Sequence, residues 1–341
     1  MGIPISDILP KKEIELVELS GKKIAIDAYN SIYAFLSIIR DRMTGEPLKD
    51  SHGNVTSHLS GLFYRNTNFL ENGIKPVWVF DGEPPKLKKK TIEARAAAKE
   101  EARKKWEEAL ERGEEAIRYA QATAKMTDKM VADSKRLLDV MGIPWIQAPS
   151  EGEATCANLC KKNVVFAAGS QDTDSLLFGC PRLVRNLSIS GRRKVPRKDE
   201  YMEIKPEMIE LEEVLSTLGM TREQLIIIGI LVGTDYNPGI EKVGPKTALK
   251  LVNEHKTLEK ILENVEWKAD VDAEEVYNFF MKPPVAEKFE IEWKQPNNEK
   301  IMEFMVEEHD FSKDRIEKAI EKLQKSFVEG RQASLKGWLE K

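Results

Sequence analysis

The stretch PSEGEATCANLCKKNVVFAAGSQDTDSLLFG, residues 149–179, places four carboxylates in two i, i+2 pairs on either side of a short apolar run. Glu151 and Glu153 precede the run, and Asp172 and Asp174 follow it. VVFAA at 164–168 reads as a buried strand between the helix ATCANLCKK and a short helix DSLLF. Packing does not call for four acids around such a strand. Their mutual repulsion raises their pKa values or destabilises the fold unless positive charge lies between them. A divalent cation is the simplest source of that charge, and an all-oxygen donor set favours Mg²⁺ or Mn²⁺ over Zn²⁺. Each pair has a second reading as a helix cap. Ser150-Glu-Gly-Glu153 has the form of a capping box, and Asp172 or Asp174 would cap DSLLF. Ligands and caps are compatible, so the rest of the chain has to weigh the two.

Two further buried strands end on acids. KKIAIDA at 22–28 leads to Asp27 and a helix over about 30–42 carrying Ile32, Phe35, Leu36 and Ile39 on one face. A helix over about 55–72 then leads to PVWVFD, which ends on Asp81. Strands separated by helices predict an α/β fold, a central, mostly parallel twisted sheet flanked by helices. In such sheets ligands collect beyond the carboxyl ends of the strands, so Asp27, Asp81 and Asp172 would face one crevice. Any one of them alone also reads as a turn or cap residue.

The segment after Asp81 changes character. Pro84-Pro85 ends the strand, and the Ala, Lys, Glu and Arg-rich stretch to about 125 is strongly helix-forming with few large apolar residues. Such a helix is either a solvated projection or one that orders on a partner. Lys88, Arg95 and Lys99 fall near one face of it, beside the acids. Residues 86–105 carry nine Lys or Arg against three Glu, a local surface able to hold phosphates although the whole chain has net charge −4. A helix at 127–141 and the segment GIPWIQAP return to the opening stretch. PRLVRNLSISGRRKVPRK then reads as a hairpin turning at Ser190-Gly191, followed by helices at about 206–218 and 221–232.

GTDYNPGIEKVGPKTALKLVNEH, 233–255, has the form of a helix-hairpin-helix turn. Gly239 and Gly244 free the backbone at the two ends of the hairpin, Pro245 suits the first position of the next helix, and Lys246 follows it. Backbone N–H groups at a helix start bind phosphate without reading bases. Asp235 would add a seventh carboxylate to the crevice. The region 256–328 reads as helix-rich and peripheral.

The 341 residues, 41% of them hydrophobic, suffice for one large domain or two. The longest apolar run, IIIGILV at 226–232, is far shorter than a membrane span, and the N-terminus has no hydrophobic leader, so no membrane association or export is expected. Met1-Gly-Ile-Pro-Ile-Ser6 superficially matches an acylation pattern, but a free amine on Gly2 after removal of Met1 is the plainer expectation. Cys156, Cys160 and Cys180 form no even framework and are expected to be reduced thiols.

In the order MGIP, IAIDAYNSIYAFL, VFDGEPP, APSEGEA, SQDTDSLLFG and GTDYNPGI, the chain resembles the XPG-like 5′ nuclease family, specifically its archaeal-type flap endonucleases, over nearly its whole length. The resemblance implies a single nuclease domain over 1–329, with a helical arch at about 84–130 and a helix-hairpin-helix region at about 233–255. It implies that Asp27, Asp81, Glu151, Glu153, Asp172, Asp174 and Asp235 hold two Mg²⁺ ions, with Mn²⁺ able to substitute, and that Lys88 and Arg95 approach the scissile phosphate. DNA contacts are implied at Gly2, Tyr33, Arg40, Arg65, Gly239, Gly244 and Lys246. The last residues, 330–341, are similar to a sliding-clamp (PCNA-type) binding motif through Gln332, Leu335, Trp338 and Leu339, with Leu339 replacing the second aromatic. The partner implied is branched DNA with a 5′ flap, bound by a monomer. The setting is the cytoplasmic nucleoid for an archaeal type and the nucleus for a eukaryotic one. Two rival functions are a non-catalytic junction adaptor for the clamp and a bubble- or junction-cutting member of the same family.

Overall fold

The computed structural model describes residues 3–41, 44–111, 123–188, 191–194 and 201–339; the side chains of 107, 109–111, 191–194, 201–202 and 330–339 are outside the description. Its centre is a sheet in the order β1-β9-β6-β5-β2-β3-β4. The strands are β1 Lys12–Glu13, β2 Lys23–Asp27, β3 Lys75–Phe80, β4 Trp145–Gln147, β5 Ala167–Gly169, β6 Arg182–Arg185 and β9 Glu207–Glu210. From β6 to β4 all neighbours pair in parallel, while β9 runs antiparallel to both β6 and β1.

The near-continuous hydrophobicity of β2 and β3 follows from burial on both faces. Ile24, Ile26, Trp78 and Phe80 point to one core, shared with the helices Ala28–Ile38 (α1) and Ser57–Glu71 (α2). Ala25, Val77 and Val79 point to the other, shared with the helices Gly152–Lys161 and Arg222–Val232. The C-terminal helix Lys313–Leu339 lies on α2 through Ile316, Ala319, Ile320 and Leu323, a helical spacing of buried apolar residues.

Several expectations are corrected. PRLVRNLSISGRRKVPRK does not fold onto itself as a hairpin: β6 pairs with β9, and β7 (Gly191–Lys194) pairs with β8 (Tyr201–Ile204). The helix expected over 206–218 begins only at Leu211, because Glu207–Glu210 form β9 and cover the open edge of β6. The strand at VVFAA is limited to Ala167–Gly169. Within 256–328, residues 282–297 form no helix but an irregular strap. Trp293 Nε1 donates to the Pro76 carbonyl at 3.0 Å, Lys294 N to the Gly142 carbonyl at 2.8 Å and Asn297 N to the Val140 carbonyl at 2.9 Å, tying the strap to β3 and to the end of the helix Asp128–Val140. No single helix among the described residues is long and apolar enough to cross a membrane. Cys156, Cys160 and Cys180 are free and buried.

Candidate active site

From β2 the chain builds outward to β3 and β4, then returns to place β5 and β6 on the opposite side. The crevice of this topology therefore opens beyond the carboxyl ends of β2 and β5. Asp27 closes β2 and caps α1, its Oδ1 accepting from Asn30 N at 3.0 Å. Asp81 follows β3, and its Oδ1 accepts from Gly152 N at 2.7 Å. A Cβ on Gly152 would stand 2.6 Å from that oxygen, so the close approach requires glycine. Glu153 accepts from Ser170 Oγ at 2.7 Å and from Ser175 Oγ at 3.3 Å. Asp172 accepts from Asn30 Nδ2 at 3.0 Å, and Asp174 from Ile3 N at 2.8 Å.

These partners decide between ligand and cap. Glu151, not Ser150, occupies the N-cap position of Gly152–Lys161, and it makes no side-chain cap bond. Glu153 turns to the two serines instead of back to the helix start, so the capping box is not formed. Thr173 stands at the cap of the short helix Asp174–Leu177 without a side-chain cap bond, its Oγ1 donating instead to the Ile3 carbonyl at 3.0 Å. Of the candidate caps, Asp27 alone acts as one, and it does so while facing the crevice.

The seven carboxylates form one electrostatic cluster. Burial raises the Asp27 carboxyl well above its usual range, with Asp81 and Asp172 adding to it. Burial and then Asp174, Asp172 and Asp27 do the same to Glu153. Asp81 is pushed up to about 6 by burial and Glu151, with a smaller push from Asp235, and Asp174 to about 7 by burial and Asp172, with a smaller push from Asp235. Acids from the ends of three strands, a helix start and the hairpin are thus mutual neighbours.

The basic segment after Pro85 supplies the counter-charge. Lys88 Nζ lies 2.7 Å from Glu151 Oε2 and 3.4 Å from Asp235 Oδ2. Burial opposes the Lys88 ammonium, yet Glu151 and Asp235 more than offset this and hold its pKa above the usual lysine value. Arg95 pairs with Asp235 from the long helix Lys89–Glu111, and Lys99 Nζ sits 4.5 Å over the Tyr33 ring. Together they border a cleft of about 690 Å³ that reaches Asp81 and Glu151.

The remaining expected DNA contacts are dispersed around this centre. Arg40 donates to the carbonyls of Leu36 at 2.8 Å and Gly45 at 3.0 Å, which holds its own loop. Arg65 is half-buried on α2. Gly239 is in the left-handed region at φ +77°, where a Cβ would stand 2.4 Å from the Val232 carbonyl oxygen. Gly244 caps the helix Pro245–His255 with Pro245 in its first turn, and Lys246 is exposed. Gly2 lies outside the described residues. The helix backbone continues to Leu339, while the side chains of Gln332, Leu335, Trp338 and Leu339 lie outside the described residues. Sequence reasoning passed over Asn30 and Ser170, which hold Asp172 and Glu153. Asn30 carries a signal of sorts, since it stands three residues after Asp27 in the first turn of α1.

The donor set fits a hard divalent cation. All seven groups are carboxylates, and the burial that raises their pKa values makes their charge costly unless a cation shares the site. As the side chains are placed, no three acids among the described residues close on one point, their oxygens being turned toward Lys88, Arg95, Asn30, the serines and backbone N–H groups.

The model of the XPG N-terminal domain matches residues 4–102 and that of the XPG I-region residues 142–235. Flap endonuclease 1 of Pyrococcus furiosus is 54% identical over 344 aligned residues, covering 100% of both chains. The solved flap endonuclease-1 from Methanococcus jannaschii superimposes with a TM-score of 0.76 at 38% identity, covering 96% of this chain and 99% of that one. The catalytic core of Rad2 in complex with DNA substrate superimposes with a TM-score of 0.70 at 25% identity, covering 94% and 97%.

Proposed function

The chain belongs to the flap endonuclease family of XPG-type nucleases, and on that premise we propose that its seven clustered acids and the arch above them hydrolyse the phosphodiester at the base of a 5′ flap. The activity is that of a structure-specific, divalent-metal-dependent nuclease acting on branched DNA, with associated 5′→3′ exonuclease action, in replication and repair. Its setting, on this reading, is the cytoplasmic nucleoid of an archaeal-type cell. The observation that carries the assignment is the meeting of Asp27, Asp81, Glu151, Glu153, Asp172, Asp174 and Asp235 at the carboxyl edge of the parallel sheet, beneath Lys88 and Arg95. A junction adaptor without catalysis gains nothing from acids buried at such electrostatic cost beside DNA. The difference in identity between P. furiosus flap endonuclease 1, 54%, and the Rad2 core, 25%, supports flap over bubble or junction cutting.

The seven carboxylates would hold two Mg²⁺ ions, with Mn²⁺ as a substitute. When bound, such ions lower the pKa of an attacking water and neutralise both the entering and the leaving oxygen of an in-line displacement. The chain's own groups do the rest. Lys88 and Arg95 exchange their carboxylate partners for the scissile phosphate, where charge accumulates in the transition state. Tyr33 presents a ring for a base to stack on, with Lys99 above it to be displaced or to join a phosphate. The hairpin between Gly239 and Gly244 grips duplex phosphate through backbone N–H groups, which fixes register without reading sequence. The terminal helix through Gln332, Leu335, Trp338 and Leu339 would recruit a sliding clamp to the monomer.

The test is cleavage of a 5′-labelled flap duplex with Mg²⁺ and with EDTA, for the wild type and Asp174→Asn. Cleavage should require the metal. The variant should retain flap binding while losing cleavage, and a variant that cuts at the wild-type rate in saturating Mg²⁺ removes the assignment of Asp174.

A further inference from the structure

We infer that Asn30 is a positioning residue that sets the spacing between Asp27 and Asp172 across the crevice; the inference rests on the metal-site reading above. The parallel ladder between β2 and β5 ends at the pair Ile26↔Gly169. Past that rung no backbone pairing joins the two segments, yet Asp27 and Asp172 both lie beyond it. Asn30 spans the gap with three hydrogen bonds. Its backbone N–H donates to Asp27 Oδ1 at 3.0 Å, its side-chain Nδ2 donates to Asp172 Oδ2 at 3.0 Å, and its side-chain Oδ1 accepts from Gln171 N at 3.3 Å.

The chemistry of the position selects an amide. A donor is needed toward the Asp172 carboxylate and an acceptor toward the Gln171 N–H, on one short planar group. Asparagine supplies both, and rotating the amide by half a turn would set its oxygen against the carboxylate and its NH₂ against the N–H. An aspartate here would repel Asp172, and a serine is too short to carry a donor and an acceptor at two points. The amide also leaves one Asp172 oxygen outside this bond. On the far side of the same loop, Arg185 Nε holds the Gln171 carbonyl at 3.1 Å, so the segment is pinned between β6 and α1. Partners of this kind, which orient a ligating carboxylate without touching the ion, change metal affinity by about 10–100-fold when removed.

The experiment is Mn²⁺ binding to the full chain without DNA, by titration calorimetry and by the electron paramagnetic resonance of free Mn²⁺, for the wild type, Asn30→Leu, Asp172→Asn and the double variant. Asn30→Leu changes no charge, so a positional effect should appear as an affinity loss of about tenfold that persists between low and high salt. If Asn30 acts through Asp172, the same substitution should cost little further in the Asp172→Asn background. Cleavage by Asn30→Leu should fall at limiting Mn²⁺ and recover at saturating Mn²⁺, which a general loss of structure would not allow. Asn30→Ala serves the same cycle if the leucine variant folds poorly. Unchanged Mn²⁺ affinity, or an equal loss in both backgrounds, overturns the positioning role and leaves the nuclease reading intact. A wild type that binds no Mn²⁺ sinks the metal site and this inference together.

Discussion

Acidification should destabilise the fold through one histidine remote from the carboxylate crevice. His58, in the first turn of α2, is 0% exposed, and neither ring nitrogen has a hydrogen-bond partner among the described residues. Burial lowers its pKa to about 4, against a pull from Asp133 and with smaller pushes from His309 and Lys129. In the unfolded chain the ring returns to about 6.5, so between those values the unfolded state binds the extra proton. Stability from this group is therefore complete above about pH 6.5 and is lost as pH falls toward 4, by about 3 kcal/mol in full and about 2.5 kcal/mol at pH 4.5. Urea unfolding followed by circular dichroism at pH 7.5 and 4.5, for the wild type and His58→Leu, isolates the contribution, because the carboxylates titrate in both. At pH 7.5 the leucine should be neutral or modestly stabilising, since it removes two unpaired buried nitrogens. On acidification it should lose about 2.5 kcal/mol less than the wild type. Equal acid losses in the two proteins would refute the reasoning.

Gly142→Ala should cost about 3 kcal/mol or more, because a Cβ at φ +69° would stand 2.1 Å from the Lys294 carbonyl oxygen and push the strap off its hydrogen bonds. Gly21→Ala, at φ +73° with nothing within 4 Å, should cost only about 1 kcal/mol, and equal losses in urea would show that the strap contact is unimportant. Lys88→Met should slow single-turnover flap cleavage about 10²-fold while flap affinity changes little; a rate near that of the wild type would exclude a role in phosphate stabilisation. Joint substitution of Leu335 and Trp338 by alanine should abolish clamp-stimulated cleavage and spare basal cleavage, whereas loss of both activities would assign the tail to the fold.

Much of the site was legible because its signals are local. Asp27, Asp81 and Asp172 stand at the carboxyl ends of apolar runs, and a buried run followed by an acid states both its burial and its exit in a few residues. Gly239, Gly244 and Pro245 announce the hairpin by backbone constraints that belong to each residue separately. Strand pairing carried no such mark. PEMIELEEVL has a periodicity compatible with helix throughout, and only the open edge of β6 turned Glu207–Glu210 into a strand. The basic segment after Ser190 likewise pairs forward with β8 and not back onto β6.

The amino-acid order by itself determined where strands end, which residues are acidic there and where the backbone turns, since these depend on side-chain volume, charge and φ within a few positions. The tertiary structure alone decided that Asp235 meets Lys88 and Arg95, that Lys294 and Asn297 bond to Gly142 and Val140, and that Asn30 reaches Asp172 across a ladder that has already ended. Each of those contacts joins residues at least 140 apart along the chain, and their energies exist only once packing on both faces of the sheet has removed the alternatives.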